Sequence, residues 1–359
     1  MSRDIYRKIA VDYLTVEDIL RLCQVSKEFN KVFSYEIWQK LWLRDMSSVA
    51  SLSPGPFYKK AHIEIKKIRN NYDKIIFRQY SPDQMVNLYA AKYGLDKLIC
   101  DHNDSYDILR VATIYKQEHI VNMILENNDL KTPYWKFQDK DWKHEAIMFG
   151  AIESGDLLKV KEMVSLGVEK YDSGLVCAAS NGNMEIVKYF ISLGSTNYND
   201  AMVSAIADGY SEIVLLMISL GANNYNFGLE CACRNKRMEL VNLMLSLGAN
   251  DYNGALKSSA SSGNYEIFEK ILLLEDNLDY NASLQYAVIG GNMKIVDKLV
   301  ELGANKYTKA LHIASMYGRK DIAIKMLKLG AKGYSTSINT AKFYKHSDIV
   351  KLIEQYKSS

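Results

Sequence analysis

Proline is scarce in this chain, with four residues in 359. The proline ring fixes φ and removes an N–H, so it interrupts helices; its rarity suits a largely helical protein. Cysteine is also sparse. Five residues, an odd number without metal-site spacing, point to free thiols in a reducing compartment. No apolar run reaches the roughly 18 residues a membrane span needs, and Met1-Ser-Arg-Asp-Ile-Tyr-Arg-Lys leads into no apolar core of signal-peptide length. The expected location is therefore the cytosol, with the nucleus open as well. A net charge of +3 is too small for wholesale nucleic-acid binding. Phosphate loop, nucleophile elbow and paired metal motif are all missing. The six histidines, at 62, 102, 119, 144, 312 and 346, do not cluster with carboxylates or cysteines along the chain. Cys231 and Cys233 stand one residue apart, which is not zinc-finger spacing. No catalytic, cofactor-binding or metal-binding residue is expected, and the chain is not expected to be an enzyme.

What is present is repetition. Tyr171, Tyr198, Tyr225, Tyr252, Tyr280, Tyr307 and Tyr334 are separated by 27, 27, 27, 28, 27 and 27 residues. A glycine stands four residues before most of them, as at Gly194 and Gly221, and another eleven residues after most, as at Gly182 and Gly209. A fixed period of this size marks a stacked repeat array. Such arrays offer extended surfaces instead of deep pockets, so the pattern points to binding.

Taking tyrosine as column one, column two reads Asp172, Asn199, Asn226, Asn253, Asn281, Thr308 and Ser335. Every member can accept a hydrogen bond, so this column is expected to be, to within a residue, the N-cap of a first helix about eight residues long. Columns five and eight are apolar or small, as Leu175 and Ala178 or Leu311 and Ala314, and share one face. The column-twelve glycine should end the helix in a left-handed turn. Lys236 and Lys345 stand in that place in two units, at a local cost; Lys116 does so in an earlier, degenerate one. A second helix carries Ile186-Val187, Ile213-Val214, Leu240-Val241, Ile267-Phe268 and Ile295-Val296. Each unit is thus a helical hairpin with two apolar faces, and only its neighbours can bury both.

The helix pair resembles the ankyrin repeat. Leu311-His-Ile-Ala314 matches that family's Leu-His-x-Ala, Gly182-Asn-Met-Glu-Ile-Val187 its Gly-x-x-Glu-Ile-Val, and Leu245-Ser-Leu-Gly-Ala249 its Leu-x-x-Gly-Ala. The resemblance covers about 144–359 strongly and 84–130 weakly. A usual ankyrin unit has about 33 residues, and from Leu311 to Gly330 the helix pair has the full family length. The missing residues therefore come from the connection that forms the projecting β-hairpin, and short fingers or none are expected, with tyrosine filling the trimmed loop.

The first module, 1–46, holds three short helical patterns. Ile9, Tyr13-Leu14, Asp18-Ile-Leu-Arg-Leu22, Val25-Ser-Lys-Glu-Phe29 and Trp38-Gln-Lys-Leu41 follow one another in the order and spacing of an F-box, which the module resembles. The usual Leu-Pro opening is absent. The resemblance implies docking on the Skp-type adaptor of a cullin–RING ubiquitin ligase, through Ile5, Ile9, Leu14, Leu20, Val25, Ser26 and Phe29. A plain helical cap on the array is the competing reading. The combination of an F-box with ankyrin units of this wording is similar to proteins of large DNA viruses.

Between the modules, 47–83 comprises a hinge at Ser47–Pro56 and a basic amphipathic helix near Tyr58–Arg69. Degenerate ankyrin-like repeats follow at 84–130. The insert 131–143, with Trp135 and Trp142, breaks the period and is expected to plug the joint between irregular and regular units, a recognition loop being the alternative. The array proper is 144–359. The fold class expected is all-α: a three-helix module followed by an α-solenoid of short hairpins.

In ankyrin-like stacks the first helix lines the concave surface. Columns three, ten and eleven fall there, and they vary while the frame repeats. Binding energy concentrates in aromatic and arginine anchors, which singles out Phe227, Arg234 and Asn235 in the middle and Met316, Tyr317, Phe343 and Tyr344 near the end. For Phe343 and Tyr344 the competing role is closing the final unit. The function expected is a substrate-recognition subunit of an SCF-type ligase, monomeric, without nucleic-acid or membrane partners. Two rivals stand beside it: an ankyrin-type scaffold that sequesters a host protein without ligase recruitment, and an enzyme with a site at the 131–143 insert.

Overall fold

Small residues at regular intervals let helices approach closely, and that governs this structure. The computed structural model describes residues 105–126 and 142–358. The F-box-like segment 1–46 with its Ile5, Ile9, Leu14, Leu20, Val25, Ser26 and Phe29, the linker 47–83 and most of the insert lie outside the described residues. Those residues form eighteen α-helices, with no strand among them. They fall into two units, up to Lys170 and from Tyr171.

The described residues of the first unit form two hairpins, α1 (Ser105–Ile114) with α2 (Glu118–Glu126), and α3 (Trp142–Ser154) with α4 (Leu157–Ser165). Helix α1 packs on α3. A Cβ added at Gly150 of α3 would stand 2.6 Å from the Arg110 carbonyl oxygen and 2.8 Å from Thr113 Cβ, so only glycine permits this approach. Arg110 Nε donates to Glu153 Oε1 at 2.6 Å across the same seam. Helix α3 begins at Trp142, inside the expected insert, and Trp142 is buried; this agrees with a packing role for that residue. The turn between α1 and α2 puts Lys116 at φ 55°, in the left-handed conformation expected of it.

The second unit is seven hairpins in a row: α5 (Tyr171–Ser180) and α6 (Met184–Ser192), α7 (Tyr198–Asp208) and α8 (Ser211–Ser219), α9 (Tyr225–Arg234) and α10 (Met238–Ser246), α11 (Tyr252–Ser262) and α12 (Tyr265–Leu272), α13 (Tyr280–Gly290) and α14 (Met293–Glu301), α15 (Tyr307–Tyr317) and α16 (Lys320–Lys328), α17 (Tyr334–Phe343) and α18 (Ser347–Ser358). Each tyrosine opens a first helix and is half-buried there. First helices run ten or eleven residues, as in α5 and α7, not eight.

Consecutive first helices pack intimately, while consecutive second helices touch far less. The reason lies in columns four and eight. Gly174, Ala201, Gly228, Ala255, Ser283, Ala310 and Ser337 form one column; Ala178, Ala205, Ala232, Ser259, Ala287, Ala314 and Ala341 form the other, and all are buried. Residues four apart lie on one helix face, so each first helix presents a small-residue strip to its neighbours. The second helices supply bulk, with Phe190, Met217, Met244, Ile271, Leu299 and Met326 buried beneath that strip.

Connections between hairpins are short, and no strand occurs in them among the described residues. Asn197 (φ −76°, ψ 54°), Asn224 (φ −78°, ψ 57°) and Lys306 (φ −78°, ψ 52°) sit near the inverse γ-turn minimum. The N–H of the following tyrosine donates two residues back, Tyr198 to Thr196 O at 2.7 Å and Tyr225 to Asn223 O at 2.8 Å. At the other end of the first helix, Gly209 has φ 92°, and Lys236 and Lys345 adopt φ 60° and 62° in the same place.

Candidate functional site

From α7 onward the N-cap of the first helix is the residue before tyrosine, for example Asn197, Asn224 or Asp251, and not column two. Column two does something else. Asn199 Oδ1 accepts from the backbone N–H of Asn223 and Asn224, at 2.8 and 2.9 Å, in the connection to the next unit. Asn226 repeats this with Asn250 and Asp251 at 2.7 and 3.0 Å, and Asn281 with Asn305 and Lys306, both at 2.9 Å. Asp172 accepts from Ser195 Oγ at 2.6 Å and from the N–H of Thr196 and Asn197. These bonds, the Ser195 hydroxyl foremost, hold its carboxyl below the usual carboxylate range. In the one 28-residue spacing the register slips, and Asn253 reaches a single N–H, that of Asp279, at 2.7 Å. The side chain thus joins units, because an oxygen suited to capping its own helix also reaches the orphan donors of the next loop.

A complementary bond runs from column thirteen back to the preceding unit. Arg237 Nη2 donates to Asp208 O at 2.8 Å, Asn292 Nδ2 to Gly263 O at 2.9 Å and Arg319 Nη2 to Ile289 O at 2.7 Å; His346 Nε2 lies 3.2 Å from Met316 O. These acceptors are among the last carbonyls of a first helix, which have no partner within it. The same side chains lie over the column-twelve glycines: a Cβ at Gly291 would stand 2.9 Å from Arg319 Cζ, and at Gly318 2.8 Å from His346 Cε1. Column twelve therefore needs glycine for space as well as for φ.

On this frame, columns three, ten and eleven supply most of the outward face of the first helices. Phe227 is 47 % exposed. Arg234 is exposed, with Nη2 4.0 Å from Glu230 Oε2. Asn235 is exposed and donates through Nδ2 to Cys231 O at 2.9 Å, with Cys231 Sγ at 3.5 Å; Asn181 bonds to Cys177 O in the same way at 2.9 Å. Met316 is half-buried, whereas Tyr317 and Tyr344 are exposed. Phe343 is 79 % exposed and meets the Tyr344 ring edge-on at 5.1 Å between centroids. A residue sealing the last hairpin would be covered, and Phe343 is not. Tyr286, in column seven and 43 % exposed, belongs to this face too; one helical turn from column three and another from column eleven, its position gave the signal.

The cysteines of column seven pack as small residues. Cys231 is buried and its Sγ lies 3.5 Å from Val203 O. Nearby Cys233 is fully covered, and burial pushes its thiol up to about 12. Among the described residues no group of histidine, cysteine and carboxylate side chains is placed to hold a metal, and no helix is long and apolar enough to cross a membrane. No protein-family model matches the chain, and no curated protein is similar to it.

Proposed function

We propose that this chain recruits a target protein to a cullin–RING ubiquitin ligase, with 1–46 docking the Skp-type adaptor and the first-helix face of the array holding the target. The observation that carries the target-holding half is a uniform frame bearing non-uniform exposed side chains: Phe227, Tyr286, Tyr317 and Phe343 vary in place from unit to unit while the bonds of columns two and thirteen recur. The adaptor-docking half rests on the motif order in the first 46 residues. The chain would contribute proximity, the ligase performing the transfer. Purified full-length protein mixed with the adaptor should form a stoichiometric complex that Leu20→Ala/Phe29→Ala abolishes. Failure of the unaltered protein to bind overturns the ligase half. The absent Leu-Pro opening favours the second reading, a scaffold that sequesters its partner; a cellular effect that survives deletion of 1–46 decides for it.

A further inference from the structure

Charge along the second unit is strongly divided. Residues 171–292 hold six Lys and Arg against thirteen Asp and Glu, whereas 293–359 hold thirteen against five. The division is also between faces. In the last three hairpins the carboxylates within helices sit on second helices, where Asp297 meets Lys325 at 2.6 Å, Asp348 meets Lys320 at 4.0 Å and Glu354 meets Lys342 at 3.5 Å. The first helices and the connections before them, 302–319 and 329–346, carry Lys306, Lys309, Arg319, Lys332, Lys342 and Lys345 and not one acidic residue. Lys306, Lys309, Lys332 and Lys345 are all exposed.

Three exposed aromatics, Tyr317, Phe343 and Tyr344, lie on the same segment. A Cβ at column eleven of one hairpin would abut the column-ten carbonyl of the hairpin before it, as at Gly290 against Ser261 O at 2.3 Å. By that register Tyr317 follows Ile289 and Tyr344 follows Met316. Phe343, in the same column as Ile289 and Met316, has no hairpin after it among the described residues, and its ring stands open beside Tyr344.

We propose that the first-helix face of the last two hairpins docks an acidic peptide segment bearing an apolar or aromatic anchor, the anchor seating on Phe343 and Tyr344 and the carboxylates facing Lys309, Lys332 and Lys345. This rests on the reading that the array holds a polypeptide target, and it names that target's chemistry. Charge complementarity selects the partner's sign, and an uncovered aromatic pair supplies the desolvated centre that binding energy needs. Nucleic acid fits less well. The one arginine of the segment is committed to Ile289 O, and lysine ammoniums lack the planar fork that grips phosphate bidentately.

A random-peptide library selected on immobilised full-length protein tests this. Recovered peptides should be net acidic with an aromatic or aliphatic residue. In fluorescence anisotropy they should bind about tenfold more weakly to Lys309→Glu/Lys332→Glu and to Phe343→Ala, and more weakly as salt rises. These side chains are exposed, so the variants should keep the unaltered circular dichroism and melting curve. Recovery of nothing, of neutral or basic peptides, or of peptides indifferent to the variants overturns the proposal. So does tighter binding of a labelled oligothymidylate, or wild-type self-association that the lysine reversal abolishes. Adaptor binding is measured separately through Leu20 and Phe29, so its failure leaves this result standing, and the converse holds.

Discussion

Replacing Asn226 by alanine removes the oxygen that accepts from the N–H of Asn250 at 2.7 Å and of Asp251 at 3.0 Å, together with the Nδ2 contact to Asn250 Oδ1 at 3.2 Å. A net intramolecular hydrogen bond contributes about 1 kcal/mol. The connection is exposed, so water replaces part of what is lost, and two bonds should cost about 1–2 kcal/mol together. Asn253→Ala is the internal control: it loses one bond, to Asp279 N–H, and should cost about half as much. Asn226→Asp keeps the acceptor, as Asp172 does naturally, and should recover most of the loss. Global unfolding is a poor measure here, since repeat arrays need not unfold in one step. Native-state hydrogen exchange of the Asn250 and Asp251 amides reads the joint directly. At about 1.4 kcal/mol per factor of ten, Asn226→Ala should speed their exchange severalfold to about twentyfold and leave the Asn223 and Asn224 amides unchanged. Equal costs for the two alanine variants, or no rescue by aspartate, would refute the ladder as the source of inter-unit cohesion.

Gly174→Ala should destabilise by about 1–3 kcal/mol, because the new methyl would stand 2.5 Å from the Phe190 ring. Gly228→Ala should cost less, since its neighbour at 2.7 Å is the flexible Met244 side chain; urea titration of both ranks them. Lys236→Gly relieves a left-handed lysine at φ 60° and should stabilise by about 1 kcal/mol, seen as a raised melting temperature. The Asp172 carboxyl is depressed in the fold, so its contribution is complete above about pH 4 and fades as pH falls through the folded value. Protection of the Thr196 and Asn197 amides should fall in acid, and Asp172→Asn should remove that pH dependence. Cys233, buried with its thiol raised to about 12, should resist a thiol reagent at pH 8 until the protein is unfolded.

Period, helix type and turn chemistry were legible in the residues, because each is a local property. Tyrosine spacing set the unit, and glycine spacing set both helix ends. Lys116, Lys236 and Lys345 betrayed their left-handed conformations by standing where glycine recurs. A period of 27 residues leaves few between one hairpin and the next, and the connections are correspondingly short. The candidate face was legible only in part. Phe227, Arg234, Asn235, Tyr317, Phe343 and Tyr344 are exposed there, but Met316 is half-buried and Tyr286 went unnoticed.

Sequence by itself determined that this chain makes helical hairpins and that no hairpin can stand alone. Tertiary structure decided what joins them. An asparagine oxygen serves equally well as an N-cap or as a bridge, and its choice depends on backbone donors some 24 or 25 residues away. Likewise Arg237, Asn292, Arg319 and His346 look like unrelated surface residues until packing brings each over the open end of the preceding helix. Partners a whole unit apart leave no local trace, and that is why the bonds between hairpins waited for the fold.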